Sequence, residues 1–503
     1  MPVRPSDGAG FVTAPLGYPP GFIAGLAAIV GEAGLRYGPT LAVIDPGVNP
    51  GNLGAGLMVR PTTTEEVARV LMLCNDAAIG VVPQGGRTGL AGGAVSRPGQ
   101  LILSLERMNR IESVNPDART ATVEAGVTLE RLDSALTSHG LAAGIDLGAR
   151  GSATIGGMVS TNAGGVDAFR YGMMRERVLG LEVVLADGTI REELSRVRKD
   201  NAGLPLRQLF IGSEGTLGIV TRVVIALVPA PGPRHTCLVL VSDLAAAVAV
   251  MRAVEAMAGT VLEAAELMSG NHVALTARTL GITGVAATEP AAFGLLLAIA
   301  DREHGSTEGA LEAALIEASG AGRVVDALLP KNAAEERDLW RIREDWAVDR
   351  ILPGGLWYDV SVPVDALASY LAELEARIHR HDATLEVYVV GHLADGNLHI
   401  TVNAATPITA RYEEIAPLVY QDLRAIGGSF SAEHGIGIEK VAALERWTGP
   451  AGIALMRAVK LVFDRKGILN PGKVLRGSGT DASGFYVEDA SAGNRGSARR
   501  APW

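Results

Sequence analysis

Three glycine-dense segments, met in a fixed order along the chain, limit the fold more than any other feature. The first, Pro83-Gln84-Gly85-Gly86-Arg87-Thr88-Gly89-Leu90-Ala91-Gly92-Gly93, holds five glycines in eleven residues. The second runs from Gly148 through Ser152, Gly156-Gly157 and Asn162 to Gly172, and the third spans Gly212–Gly218, just before the apolar run Ile219–Val228. Without a Cβ, backbone N–H groups can converge on a phosphate. The first loop contains neither a Gly-x-Gly-x-x-Gly fingerprint nor a Gly-Lys-Ser/Thr loop, so neither a Rossmann site nor a Walker site is indicated. Taken alone, that loop is equally compatible with an ordinary flexible connection.

Around these glycines strand and helix patterns alternate. Leu57–Arg60 reads as a strand and Thr63 with Glu66 as a capping box. Val67, Val70, Leu71 and Cys74 form the buried stripe of a helix stopped by Gly80. Val81–Val82, Leu101–Leu105 and Val178–Leu185 read as further strands, the last ended by an Asp187-Gly188 turn. Pro229, Pro231 and Pro233 mark the best domain boundary. Beyond it, Thr236–Val241, Phe293–Ala300, Tyr358–Val362, Leu385–Val390 and Leu398–Val402 alternate with Ala/Glu/Arg-rich helices. Leu244–Leu262 reads as a surface helix, because Arg252 and Glu255 interrupt a run otherwise long enough to suggest a membrane span. The expected fold class is α+β. Residues 1–54 form an N-terminal helical segment that includes Phe22–Val30. Residues 55–230 form a first domain, and 231–454 a second with an antiparallel sheet covered by helices. Residues 455–476 form a helix and turn returning to the first domain, and 477–503 a disordered tail.

Composition excludes several partners. A net charge of −10 argues against nucleic acid or an anionic membrane as the main partner. An acidic substrate must therefore meet positive charge locally. Cys74 and Cys237 are the only cysteines and sit in no paired motif, which points to a reducing compartment without a disulfide framework. No targeting segment or membrane span is legible, so a cytoplasmic location is expected, with peripheral membrane association left open.

The second half carries Gly391-His392-Leu393-Ala394-Asp395-Gly396-Asn397-Leu398-His399-Ile400. Asp-Gly between apolar runs signals a two-residue hairpin turn. With that turn, His392 opposes His399 on one face, at a Cβ separation of about 5 Å. Two such imidazoles can grip a cation; zinc is the usual tenant, and iron, cobalt or manganese are not excluded. A purely structural His pair is the alternative. Glu433 and His434 are adjacent, and spacing does not say which of them binds metal. His379 and His381 read as solvated.

Together the three glycine segments resemble the FAD-linked oxidase family, with the vanillyl-alcohol-oxidase/p-cresol-methylhydroxylase fold. They are most similar to its D-2-hydroxy-acid dehydrogenase branch: D-lactate and D-2-hydroxyglutarate dehydrogenases and the glycolate oxidase flavin subunit. The resemblance covers residues 50–475 and implies a two-subdomain FAD-binding domain over 55–230. It implies non-covalent FAD contacted by Gln84, Gly85, Gly86, Arg87, Thr88, Gly89, Leu90, Gly92, Ser152, Gly156, Gly157, Asn162, Gly218, Ile219 and Asn470. Arg87-Thr88 stands where a flavinylated relative would need a His. It also implies a divalent metal, zinc in the first instance, on His392, His399 and Glu433, with His434 as catalytic base and Arg343 holding the substrate carboxylate. The implied partners are a small 2-hydroxy acid and an external electron acceptor: a quinone, an electron-transfer flavoprotein or a cytochrome. A homodimer is compatible with this reading.

The match departs from the 2-hydroxyglutarate enzymes at three places. Trp357 replaces a Lys two residues before Asp359, Ala347 replaces a Thr four residues after Arg343, and Ile400-Thr401 replaces Leu-Asn after the second hairpin His. Ala394 also stands in place of a common Gly. The expected substrate is therefore lactate-like and monocarboxylic, with Trp357 and Thr401 in its pocket; core packing is the competing role for Trp357. D-2-hydroxyglutarate dehydrogenase or the glycolate oxidase flavin subunit is the alternative. From other classes, a non-catalytic flavin-fold subunit conflicts with the intact Glu433-His434 pair, and a flavin-free metal hydrolase or lyase leaves the glycine segments unexplained.

Overall fold

A computed structural model of the chain describes residues 17–477, apart from 233, 258–259, 287–290, 302–306 and 346. The expected tail beyond Gly477 and the first sixteen residues of the N-terminal segment lie outside the described residues.

The first glycine loop leaves the edge of a four-stranded sheet. Its spatial order is Leu35–Tyr37, Leu57–Val59, Leu101–Ser104, Val81–Gln84, antiparallel in the first pair and parallel in the others. The helix Thr64–Ala77 makes the crossover and buries Val67, Val70, Leu71 and Cys74, as their spacing predicts. Thr63 accepts the Glu66 N–H, but the Glu66 carboxylate turns back to Thr62, so the capping box is displaced by one residue. The helix also ends before Gly80. Ala78 is left-handed (φ 52°), and the Ile79 N–H reaches back to the Cys74 carbonyl. Gly80 has a packing role instead, because a Cβ there would lie 2.8 Å from Pro471. The helix Phe22–Val30 covers this layer with Phe22, Leu26 and Val30.

A five-stranded antiparallel sheet follows, in the order Ile111–Asn115, Thr120–Glu124, Ile219–Ala226, Val178–Val184, Ile190–Glu193. Every residue of Val178–Val184 is buried. The short helix Ile155–Thr161, which carries the second glycine segment, packs on this sheet through Ile155, Met158 and Val159.

The second half is built on a seven-stranded antiparallel sheet ordered Val324–Leu328, Arg234–Val241, Phe293–Asp301, Thr260–Ser269, Glu386–His392, Asn397–Asn403, Leu356–Ser361. The fold is thus α+β with antiparallel sheets, as expected. The run read as one helix over Leu244–Leu262 divides into the helix Leu244–Glu255 and the strand Thr260–Ser269. Glu-Ala-Ala-Glu-Leu favours helix locally, but pairing on both edges holds it as a strand. One face of the sheet packs under the helices Leu244–Glu255, Leu367–His381 and Tyr412–Tyr420. On the other face, Leu238, Leu240, Met268 and Leu296 meet the helices Gly270–Leu280 and Ala333–Glu344, and the remainder faces a cavity.

The helix Val441–Phe463 bends at Gly449 (φ 74°), just before Pro450. The chain then returns to the first sheet, where Leu469 bridges Val81 and the Asn470 N–H donates to the Val81 carbonyl at 2.8 Å. Among the described residues no helix is long and apolar enough to cross a membrane.

Candidate active site

The hairpin forms with a register different from the expected one. His392 pairs with Asn397, Gly391 with Leu398 and Val390 with His399. The connection is the four residues Leu393–Gly396, closed by the Gly396 N–H on the His392 carbonyl at 2.9 Å. Leu393 leaves the ladder because its N–H pairs with Ala265 of the neighbouring strand, at 2.8 Å, and its side chain is fully buried. His392 and His399 are therefore diagonal rather than opposed. They still share a face, with ring centroids 5.6 Å apart and planes at 84°.

The registers of four strands arrange that face in rows. Glu266, His392, Asn397 and Ser361 form one; Val390, His399 and Asp359 the next; Tyr388, Thr401 and Trp357 the third. Glu266, His392, Val390, His399, Tyr388, Thr401 and Trp357 line a cavity of about 1060 Å³, whose other walls are the glycine segments.

Asp359, fully buried, shapes the segment above the rows. One carboxylate oxygen accepts three successive N–H groups, from Ala432 (3.1 Å), Glu433 (2.8 Å) and His434 (2.9 Å). The other accepts Asn397 Nδ2 at 2.9 Å. Burial alone would raise its pKa, but His434, Lys440 and His399 beside it hold the carboxyl far below the usual range. His434 stacks on His399 with centroids 5.8 Å apart, its Nδ1 3.9 Å from Asp359. Burial lowers the pKa of both rings, so His434 is a neutral imidazole near pH 7. Glu433 Oε1 accepts the Gly165 N–H at 2.8 Å, and Oε2 lies 3.9 Å from His399 Nε2. Burial raises the Glu433 pKa.

The donor atoms of Asp359, His399, Glu433 and His434 fall within 4.8 Å of one another, a spacing that can hold a cation. Both oxygens of Asp359 are already committed, which makes it a brace rather than a ligand. His392, expected among the ligands, falls outside that set, next to His399. Its Nδ1 is 2.8 Å from Glu266 Oε1, which turns Nε2 away from Glu266. Burial opposes protonation of this ring, but Glu266 raises its pKa to about 9, while Glu266 itself is held down at about 2 by His392 and Arg343 against its own burial. Two imidazoles and one carboxylate suit a divalent metal and leave coordination positions open. Arg343, in the last turn of Ala333–Glu344, donates from Nε to Glu266 Oε2 at 2.7 Å and lines the same cavity.

The glycines build the facing wall by close packing. A Cβ on Gly85 would lie 2.1 Å from Thr154 Oγ1, one on Gly86 1.9 Å from the Ser152 carbonyl, and one on Gly156 2.4 Å from Ala125. Gly89 has open space. Such bare-backbone walls fit a phosphate-bearing cofactor. Gln84, Arg87, Thr88, Leu90, Gly157, Gly218, Ile219 and Asn470 also line the cavity. Gly92, Ser152 and Asn162 do not. Gly92 (φ 73°) turns the chain against Ile438, and Ser152 lines a smaller cavity shared with Gly85–Thr88. Asn162 is a left-handed helix cap whose Oδ1 accepts the Arg175 N–H. Asn470 braces two loops through Nδ2, at 3.0 Å from the Gly93 and 2.8 Å from the Glu214 carbonyl.

Sequence reasoning missed Glu266, which lies just past the run read as a helix over Leu244–Leu262, and used Asp359 only as a landmark. It also missed Glu214 in the third glycine segment. Its carboxylate accepts the Ile436 and Gly437 N–H groups at 2.7 and 2.8 Å, tying that segment to the one bearing Glu433 and His434.

The sequence matches the family described as "FAD binding domain" over residues 55–193 and "FAD linked oxidases, C-terminal domain" over 230–474. It is 38% identical over 420 residues to the mitochondrial D-2-hydroxyglutarate dehydrogenase of Bos taurus, covering 83% of this chain and 76% of that one. It is 38% identical over 421 residues to the D-2-hydroxyglutarate dehydrogenase of Xanthomonas citri pv. viticola, covering 82% and 88%. A Schizosaccharomyces pombe mitochondrial protein named for D-lactate dehydrogenase is 32% identical over 429 residues, covering 83% and 81%. Among solved structures, p-cresol methylhydroxylase with substrate bound superposes with a TM-score of 0.69 at 18% identity, over 92% of this chain and 98% of that one.

Proposed function

The chain belongs to the FAD-linked oxidase family, and from that membership we propose that it is an FAD-dependent dehydrogenase oxidising a D-2-hydroxy acid to the 2-oxo acid with the help of a divalent metal. The observation that carries this is the gathering of His392, His399, Glu433, His434 and Arg343 in one cavity with the glycine walls. FAD held non-covalently there would supply the hydride acceptor, and a cation on His392, His399 and Glu433, zinc in the first instance, would supply Lewis acidity.

The protein's own part is orientation and proton handling. Arg343 presents a guanidinium fork whose Nε is occupied by Glu266, leaving the Nη donors to a carboxylate. His434, kept neutral by burial, accepts the proton from the C2 hydroxyl oxygen. Asp359 fixes the backbone beneath that imidazole.

The relatives at 38% identity favour D-2-hydroxyglutarate, the alternative of the sequence reading, over a lactate-like substrate. The third row, Tyr388–Thr401–Trp357, favours the second reading, an uncharged substrate side chain, because none of its three side chains carries a charge. The residue divisions at 54/55, 230/231 and 454/455, an external quinone, electron-transfer flavoprotein or cytochrome as acceptor, and a homodimer belong to this proposal. The cytoplasmic expectation gains no support from relatives named as mitochondrial. Anaerobic mixing with D- and L-forms of 2-hydroxyglutarate and lactate, and with glycolate, tests the reading. A D-hydroxy acid bleaches the flavin band, and chelator abolishes the bleaching. A flavin left oxidised by every acid refutes it.

A further inference from the structure

We propose that Glu266 is a positioning residue that couples metal binding to substrate binding, by holding His392 with one carboxylate oxygen and Arg343 with the other. The inference rests on the metal reading above and goes beyond it. Glu266 lies directly across the strand pair from His392, is 1% exposed, and comes from a strand that contributes no ligand. Its Oε1 is 2.8 Å from His392 Nδ1 and its Oε2 is 2.7 Å from Arg343 Nε.

The first contact selects a tautomer. With Nδ1–H donated to a carboxylate, Nε2 is the nitrogen that can exchange its proton for a cation, and the ring cannot rotate without breaking the bond. The second contact fixes the roll of the guanidinium about its stem and so the plane of its remaining donors. A buried carboxylate between two cations could be an ion pair of packing value only. Two features point further: each oxygen takes one partner, and both partners line the cavity. One rigid group thus sets the distance between the cation and the guanidinium, the two points that a 2-hydroxy carboxylate would span. Displacing either end moves the other, and such coupling is reciprocal.

The test uses the FAD holoenzyme and cobalt(II), whose visible spectrum reports its ligands, in competition with a chelator. Glu266→Gln keeps one acceptor but presents an NH₂ to the other donor. It is expected to weaken cobalt binding roughly 10–100-fold and to raise KM for the hydroxy acid, with flavin content unchanged. Arg343→Gln is expected to raise KM and, by releasing Glu266 at that end, to weaken cobalt binding by less than Glu266→Gln does. In the native enzyme the 2-oxo acid product tightens cobalt binding, and in Glu266→Gln that tightening is lost. Native cobalt affinity in Glu266→Gln, with affinity lost in His392→Ala, overturns the proposal and leaves the metal site standing. Native affinity in His392→Ala overturns the metal reading and this inference with it. Should Glu266→Gln lose its flavin, Glu266→Asp is read the same way: it keeps both acceptors on a shorter stem, and unchanged cobalt affinity refutes the coupling.

Discussion

His434 owes its position to a residue that never touches the reacting atoms. Asp359 gathers three backbone N–H groups beneath the segment and keeps its charge beside the imidazole. His434→Ala is expected to slow flavin reduction by about 10²–10⁴-fold while the flavin stays bound, measured by stopped-flow absorbance. Asp359→Ala leaves those donors unpaired in the interior, with a loss of about 3–5 kcal/mol expected for a broken buried charge network, measured by chemical denaturation. Glu433 and His434 took their roles from the family resemblance, while His392 and His399 were legible in the hairpin itself. Glu266 was not, because a glutamate among alanines and leucines carries the signature of a helix. Its function exists only through strands from elsewhere in the chain.

The Asp-Gly pair announced the hairpin, but the register was decided by a third strand, whose Ala265 carbonyl draws off the Leu393 N–H. Two-strand reasoning could not contain that bond. Gly391 now sits where a Cβ would lie 2.2 Å from the Asn397 carbonyl, so Gly391→Ala is expected to lower both Tm and metal content while leaving flavin content intact. The glycine walls offer a sharper contrast. Gly86→Ala drives a Cβ into the Ser152 carbonyl, whereas Gly89→Ala meets open space. Flavin absorbance per mole of purified protein is expected to collapse in the first variant and to persist to a larger extent in the second.

The two halves of the molecule are joined by charge as well as by chain. Glu263, on the central strand of the large sheet, pairs with Arg170 of the second glycine segment and with Arg234, whose guanidinium lies 3.8 Å from Asp167. Burial first, and Asp146 next, push the Asp167 pKa up to about 6 from an ordinary value of 3.8. A raised folded-state pKa means a contribution to stability present in full below the ordinary value and lost as pH rises through the folded one. The Tm difference between the native protein and Asp167→Asn should therefore shift in favour of the native protein on going from pH 7 to pH 4, read by calorimetry. No single stretch of sequence showed this junction, since its members come from separate segments brought together only by the fold. The segment bearing Glu433 and His434 spans the same divide. Glu214 and Gly165 grip it from the flavin half, and Asp359 grips it from the sheet. It is a keystone: neither half alone holds a finished arch, and the chemistry begins only where both lean on it.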